Sequence, residues 1–296
     1  MLESRIAQHY KPPMTSFLKM HGLGNDFAVF DGRVFPVPVN AAVARAIADR
    51  KRGIGCDQVI VMEKAQNGVA AFMRIFNADG SEVESCGNAA RCVAWLLMAE
   101  HETDRIDIAT AGGMLSCSAA GEAEITVDMG PPKLDWREIP MSQAVDTSSF
   151  VLPVAGFDGQ YLQSAAAVSM GNPHCVLFVT DTATVPLREL GPAVENHPWF
   201  PSRTNVEFVT QAGKDHLRMR VWERGAGVTL ACGTGACAAA VAAAARGVTG
   251  RKATVTLDGG DLQIDWRESD GHVLMTGPAR FSFAGEADLG ALVHQP

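Results

Sequence analysis

The sequence predicts an α+β fold of two pseudo-symmetric domains, each a sheet wrapped round one buried helix, and three observations carry that prediction. The chain contains a long internal repeat. Arg74-Ile75-Phe76-Asn77, followed nine residues on by Cys86-Gly87-Asn88-Ala89-Ala90, matches Arg220-Val221-Trp222-Glu223 and Cys232-Gly233-Thr234-Gly235-Ala236 at an offset of 146 residues without a gap. A second match, Gly24-Asn25-Asp26-Phe27-Ala28-Val29 on Gly171-Asn172-Pro173-His174-Cys175-Val176, has an offset of 147 and places Gln58 on Asn205. Such a period is far beyond the roughly 20 to 50 residues of solenoid repeats and indicates two homologous domains. In addition, short β-branched segments alternate with single helical ones. Finally, the segments that follow Cys86 and Cys232 are apolar almost all round, as central helices enclosed by sheet are.

Taken in order, residues 1 to 15, with Pro12-Pro13, form an extension expected to be flexible. Apolar runs bounded by Gly, Pro, Asp or Asn predict strands near 17–20, 26–31, 57–63, 69–76, 106–109, 113–118 and 124–128 in the first half. The second half repeats the theme near 150–155, 164–169, 174–179, 205–210, 215–222, 253–257, 261–266 and 272–276. Helices are predicted at 40–51, 87–100 and 233–246, the last stopping at Gly247, where glycine accepts a left-handed cap without strain. The domains are drawn at 16–132 and 133–277, with 278–296 completing the first.

Composition excludes several classes of function. A chain of 296 residues with 47% hydrophobic content suits two domains that each bury a core. The net charge of −8 carries no long run of one sign, so no nucleic-acid partner is expected. No apolar stretch approaches the roughly 20 residues of a membrane span. With no basic, apolar leader at the N-terminus, a soluble cytoplasmic protein is the expectation. The seven cysteines, at 56, 86, 92, 117, 175, 232 and 237, form an odd set without the spacing of a disulfide framework, so reduced thiols are expected. No metal is expected either, because Cys86/Cys92 and Cys232/Cys237 lack the paired spacing of zinc ligands.

The two Cys-Gly helix starts carry the chemistry. A helix N-terminus offers unpaired N–H groups and the positive end of the macrodipole, which lower a thiol's pKa and bind a carboxylate. Gly87 and Gly233 leave the backbone open to a ligand. A carboxylate held between both helix ends would have a sulfur on either side of its α-carbon. One thiolate could then remove the α-proton while the opposite thiol protonates the other face, inverting the centre as the helix ends stabilise the charge that develops. Cys56, Cys92, Cys117, Cys175 and Cys237 have the ordinary reading of small buried residues. Asp26, Asp57 and Asp79 read as turn residues, and His21 as structural.

Five motifs in order give the chain a specific resemblance. Lys19-Met20-His21-Gly22-Leu23-Gly24-Asn25-Asp26-Phe27, Phe76-Asn77-Ala78-Asp79-Gly80-Ser81, Cys86-Gly87-Asn88, Ser169-Met170-Gly171-Asn172-Pro173-His174, and Glu223-Arg224-Gly225-Ala226-Gly227 through Ala231-Cys232-Gly233-Thr234-Gly235 resemble the diaminopimelate epimerases across about residues 16 to 280. The resemblance implies that fold, with a β-barrel-like sheet round each helix. It also implies a cofactor-independent epimerase interconverting LL- and meso-2,6-diaminoheptanedioate, on the route to lysine and peptidoglycan precursors, and a homodimer. In that family the cysteine matching Cys86 donates the proton and the one matching Cys232 accepts it, in one direction. Residues matching Asn25, Gln58, Asn77, Asn172, Asn205, Glu223 and Arg224 line the substrate site. Backbone N–H groups at Gly87-Asn88 and Gly233-Thr234 hold the reacting carboxylate, and His174 and Glu223 adjust the thiols.

The residue chemistry fits those assignments. Arg224 suits a distal carboxylate by bidentate contact, Glu223 a distal ammonium, and the carboxamides of Asn77, Asn172 and Asn205 supply hydrogen bonds. Ala90 stands where many members carry glycine and Cys56 where an apolar residue is common; neither alters a catalytic group. Other classes remain open on the residues alone. Proline or hydroxyproline racemases also use two cysteines, a binding protein would keep the helix ends without needing both thiols, and a redox protein would join the sulfurs. A pyridoxal phosphate enzyme would need a phosphate cradle, and no glycine signature of one is present.

Overall fold

The computed structural model describes residues 14–66, 68–155 and 161–293, so the expected N-terminal extension lies almost wholly outside the described residues. The first half runs β1 (Thr15–Gly22), β2 (Asn25–Asp31), α1 (Ala41–Ala48), β3 (Gln58–Glu63), β4 (Ala71–Asn77), β5 (Glu82–Val83), α2 (Gly87–His101), β6 (Arg105–Thr110), β7 (Gly113–Gly121) and β8 (Glu124–Asp128). The second runs β9 (Phe150–Ala155), β10 (Tyr161–Ser169), β11 (Pro173–Phe178), α3 (Leu187–Glu195), β12 (Asn205–Gly213), β13 (His216–Glu223), β14 (Gly227–Val228), α4 (Gly233–Ala245), β15 (Lys252–Leu257), β16 (Gly260–Trp266) and β17 (Val273–Pro278). The chain ends with β18 (Arg280–Ala287) and α5 (Leu289–Val293).

The strands form one continuous sheet with an internal two-fold logic. From one edge the order is β18-β1-β2-β3-β4-β6-β7-β8, and from the other β9-β10-β11-β12-β13-β15-β16-β17, with β5 and β14 as short branches on β4 and β13. In each half the second and third strands of the repeat pair in parallel, as do the strands flanking the central helix. The seam between halves is the antiparallel pair β8–β17, where the Thr126 and Thr276 hydroxyls meet at 2.6 Å.

Each half buries its central helix inside the curl of its sheet. Around α2 lie Phe27, Ile60, Ile75, Ile108 and Ile125; around α4 lie Val176, Val209, Met219, Val255, Leu262 and Ile264. Helix α4, GTGACAAAVAAAA, is built of small residues because sheet approaches it from nearly every side. On the outer face the shorter helices α1 and α3 cover separate clusters, Phe30, Ile47 and Val59 in one half and Leu190, Val194 and Phe208 in the other. The two repeated domains predicted from the sequence are therefore present, each a sheet wrapped round one helix.

Differences from the sequence reading have local causes. The first helix is shorter than 40–51: Asn40 caps its start by accepting from the Ala42 and Val43 N–H groups, and Asp49 caps its end. The chain then folds back so closely that a Cβ on Gly53 would lie 2.0 Å from the Ala46 carbonyl oxygen. Helix α4 ends at Ala245 with Gly247 at φ +69° beyond it, as a glycine stop requires. Helix α3 went unpredicted because Gly191-Pro192 inside it reads as a breaker. Among the described residues no helix is long and apolar enough to cross a membrane.

Candidate active site

The repeat places Cys86 and Cys232 at the same point in each half, as the residues capping the N-termini of α2 and α4 in extended conformation. The two helix starts meet across Met275 of β17. A Cβ on Gly87 would lie 2.6 Å from Met275 Cε, and one on Gly233 would lie 2.9 Å from Met275 Sδ. Glycine at both positions is what lets two helix ends and one strand converge. Asn88 bridges the halves, donating from Nδ2 to Asn25 Oδ1 at 3.2 Å and to the Ala231 carbonyl oxygen at 3.4 Å. Its Oδ1 is buried without a partner, as is Oε1 of Gln58.

Of the remaining predicted residues, Asn25, Asn172, His174 and Glu223 are linked to this convergence by hydrogen bonds, whereas Gln58, Asn77, Asn205 and Arg224 bond to neighbours within their own half. In the first half Asn25 donates to Asp57 Oδ2 at 3.0 Å, Gln58 donates to Asn77 Oδ1 at 3.0 Å across β3 and β4, and Asn77 donates to Ser81 Oγ at 3.1 Å. Opposite them, His174 is fully buried, with Nε2 2.9 Å from Asn172 Oδ1, and Asn172 Nδ2 lies 3.5 Å from the Thr234 hydroxyl. Asn205 is occupied by main chain: it donates to the Pro173 carbonyl at 3.0 Å and accepts the Arg224 N–H at 2.9 Å, so it shapes the turn that carries Arg224. The Arg224 guanidinium donates to the Ser202 carbonyl at 3.1 Å. Glu223 accepts from the Thr229 hydroxyl and lies against the Cys232 sulfur.

The sulfurs differ in surroundings. Cys232 is 6% exposed; its Sγ accepts the Gly235 N–H at 3.4 Å and lies 3.5 Å from the Thr234 hydroxyl. Cys86 is only partly exposed. Both thiols are pushed up from the ordinary range, first by burial. For Cys86 the Asn88 and Ala89 N–H groups pull back down while the Glu223 carboxyl pushes up. For Cys232 the Glu223 and Glu207 carboxyls push up, and the Thr234 hydroxyl and Gly235 N–H pull down. The expectation that the helix ends lower the thiols is thus corrected in its net sign: the N–H groups act in that direction, but desolvation of the anion outweighs them. Glu223 is itself raised by burial, against the Thr229 and Cys232 hydrogen bonds.

The other five cysteines are free and buried, and burial pushes Cys56 up to about 11, Cys92, Cys117 and Cys237 up to about 12, and Cys175 higher still. Among the described residues no three His, Cys, Asp or Glu side chains gather as a metal site. Two acidic residues left out of the predicted site matter to it. Asp57 holds Asn25, and Glu207 binds His174 Nδ1 at 2.7 Å. The repeat itself held the signal for Glu207: at the 147-residue offset it stands on Ile60, a carboxylate at a core position.

A two-halved sheet wrapped round two central helices defines the fold class, and solved structures share it. The chain superposes with a TM-score of 0.66 on a hydroxyproline epimerase from Agrobacterium vitis, at 16% identity over 93% of this chain and 92% of that one. It superposes with a TM-score of 0.67 on a Bacillus anthracis phenazine biosynthesis protein of the PhzF family, at 14% identity over 93% and 99%. At those identities the fold is what is shared. The sequence is more specific: residues 17–134 and 166–282 match the family model for diaminopimelate epimerase. The diaminopimelate epimerase of Rhodospirillum centenum is 53% identical over 91% of both chains. The chain belongs to the diaminopimelate epimerase family.

Proposed function

We propose that the chain interconverts LL- and meso-2,6-diaminoheptanedioate without a cofactor, by proton transfer between Cys86 and Cys232, in a cytoplasmic homodimer supplying lysine and peptidoglycan precursors. The observation that carries this reading is the convergence of the two Cys-Gly helix starts across Met275. The substrate's α-carboxylate would accept N–H groups from Gly87-Asn88 and Gly233-Thr234, the donors that helix termini leave unpaired. One thiolate takes the α-proton, the C–H electron pair delocalises into the carboxylate, and the opposite S–H returns a proton to the other face. The thiols exchange roles in the reverse direction.

Burial alone would keep both sulfurs protonated. The substrate's α-ammonium brings a positive charge into the site, and a nearby cation favours a thiolate. Closure that excludes water then keeps the transferred proton on sulfur. Arg224, on a turn fixed by Asn205, reads the distal carboxylate; Asn25, Gln58, Asn77 and Asn172 supply amide contacts. The location of Glu223 against Thr229 and Cys232 favours a role at the thiol, with His174, over one at the distal ammonium. We place the halves at 16–132 and 133–277, with 278–296 returning to the first.

The test is proton NMR of LL-diaminopimelate with the reduced protein in deuterated water, for wild type, Cys86→Ala and Cys232→Ala. Deuterium at the α-carbon of a meso product, lost in both variants, is the expected result. Exchange on L-proline in place of diaminopimelate would move the chain to the proline racemase reading, and no exchange on either would end the epimerase reading.

A further inference from the structure

Among the positions at which the halves differ, three lie together below Cys232. Phe27, Ile60 and Ala89 of the first half become His174, Glu207 and Gly235 of the second. Phe27, Ile60 and Ala89 belong to one apolar cluster round α2. Their counterparts form a polar unit below Cys232. Glu207 is 0% exposed on β12, paired across the sheet with Val176 and Val221, a position where strand alternation calls for an apolar side chain. Its Oε1 lies 2.7 Å from His174 Nδ1, and its Oε2 is buried without a partner. The carboxylate approaches the first turn of α4 so closely that a Cβ on Gly235 would lie 2.6 Å from Oε1 and 3.3 Å from Cys232 Sγ. Glycine at 235 opens the space that Ala89 fills in the other half. Burying a carboxylate is costly unless a specific environment compensates it, and the replacement of three apolar-face residues together argues for a function.

We propose that Glu207 is a positioning residue of the Cys232 face: it anchors the His174 ring and sets a buried carboxylate beneath the Cys232 helix start, so that the two sulfurs hold the transferred proton unequally. The inference rests on the two-thiol reading above. His174 in turn reaches Asn172, and Asn172 reaches Thr234 beside the sulfur, so one chain of contacts links Glu207 to Cys232. The titratable groups facing Glu207 are His174 from β11, Glu223 from β13 and Cys232 at the start of α4, while Cys175 lies on the opposite face of the sheet with Val206 and Phe208. On the other face the charge beneath Cys86 has the opposite sign, the fully buried guanidinium of Arg91, which pulls that thiol down where Glu207 pushes Cys232 up. At the repeat offset Arg91 stands on the neutral Cys237.

The experiment measures iodoacetamide alkylation of each thiol against pH by peptide mass spectrometry, Cys232 in a Cys86→Ala background and Cys86 in a Cys232→Ala background, with and without Glu207→Gln. Loss of the carboxylate charge is expected to lower the Cys232 midpoint by about one pH unit, about a tenfold gain in thiolate below it, and to leave the Cys86 midpoint in place. In the intact protein the alkaline limb of kcat/KM moves to lower pH while the acid limb stays. Glu207→Ile, which copies the first half, provides a second variant should the Gln protein fail to fold, with the same expected shift. An unchanged Cys232 midpoint in a folded variant overturns the proposal, since a merely structural Glu207 would lower the thermal midpoint and leave the titration alone. A shifted midpoint together with a wild-type chain that exchanges no diaminopimelate would overturn the epimerase reading and with it the proton-transfer role, leaving only the effect of Glu207 on the Cys232 titration.

Discussion

Carboxamides recur round the site because a side chain that both donates and accepts can be fixed by the scaffold and still offer a hydrogen bond to a ligand. Asn25 shows how the fixing is done. Asp57 accepts from it, and Asp57 is itself held by Arg50, which also pairs with Asp26 at 2.7 Å; Lys19 reaches Asp26 at 2.5 Å from the other side. Burial raises Asp26, but the hydrogen bonds from Arg50 and Lys19 outweigh it and bring the carboxyl from 3.8 to about 2. A depressed carboxyl contributes stability above its unfolded value and loses it as pH falls through the folded one, so the window runs from about pH 4 down to about pH 2. Asp26→Asn should therefore lower the urea unfolding free energy at pH 7 by about 1 to 2 kcal/mol, discounted because Arg50 is largely exposed. The deficit should close as the titration approaches pH 2; an equal deficit at both ends would show that charge is not the cause. Such networks are only partly legible in sequence. The Gly-Asn turn and the repeat single out Asn25 and Asn172, whereas Asp26 and Asp57 look like any turn acids until the fold brings Arg50 and Lys19 to them.

Strands and central helices were legible as elements because their signals are local: apolar, β-branched runs bounded by Gly, Pro, Asp or Asn for the sheet, and a Cys-Gly start followed by an all-apolar run for α2 and α4. Helix α3 was not, because Gly191-Pro192 carries a local signal opposed to its tertiary setting. That glycine is there for packing. A Cβ on Gly191 would lie 2.4 Å from Trp222 Cγ, and the repeat puts Ala44 of α1 opposite the smaller Phe76 in the first half. Glu195, at the end of the same helix, accepts from Trp222 Nε1 at 2.7 Å and from the Gly225 N–H at 3.0 Å, tying α3 to the turn that carries Glu223 and Arg224. Gly191→Ala should overpack this contact at a cost of about 1 to 3 kcal/mol, lowering the thermal midpoint by several degrees. Because Trp222 leads directly into the Arg224 turn, KM for diaminopimelate should rise more than kcat falls. A thermal midpoint within about a degree of wild type would mean that the helix shifts to make room.

At the scale of the whole molecule the halves are not independent beads. They share the β8–β17 seam, and Asn88 of one reaches the main chain of the other. The repeat also closes differently at its two ends. In the second half β9, just ahead of β10 in the chain, covers the outer edge; in the first half the covering strand is β18, delivered from the far end of the sequence. The sequence predicts the return of 278–296 to the first half but not as a strand, since β18 is a short run of mostly small and polar residues whose two phenylalanines are half exposed. Its packing is nevertheless specific. Gly285 lets Phe17 lie against the β18 backbone, where a Cβ would come within 2.7 Å of the ring, and Phe283 meets Phe17 edge-on at 6.1 Å. Beyond it Leu289 of α5 is buried in the cluster under α1. A chain truncated after Ala279 should therefore lose its first half in preference to its second: the β1 edge opens, Phe17 is uncovered, and α1 loses part of its apolar support. Hydrogen exchange should show amide protection falling across β1, β2 and α1 while α4 stays protected, and the single urea transition expected of the intact molecule should become two. Equal loss of protection in both halves would instead make the seam at β8–β17 strong enough to unfold the molecule as one unit, with β18 stabilising the whole sheet and not the half it covers.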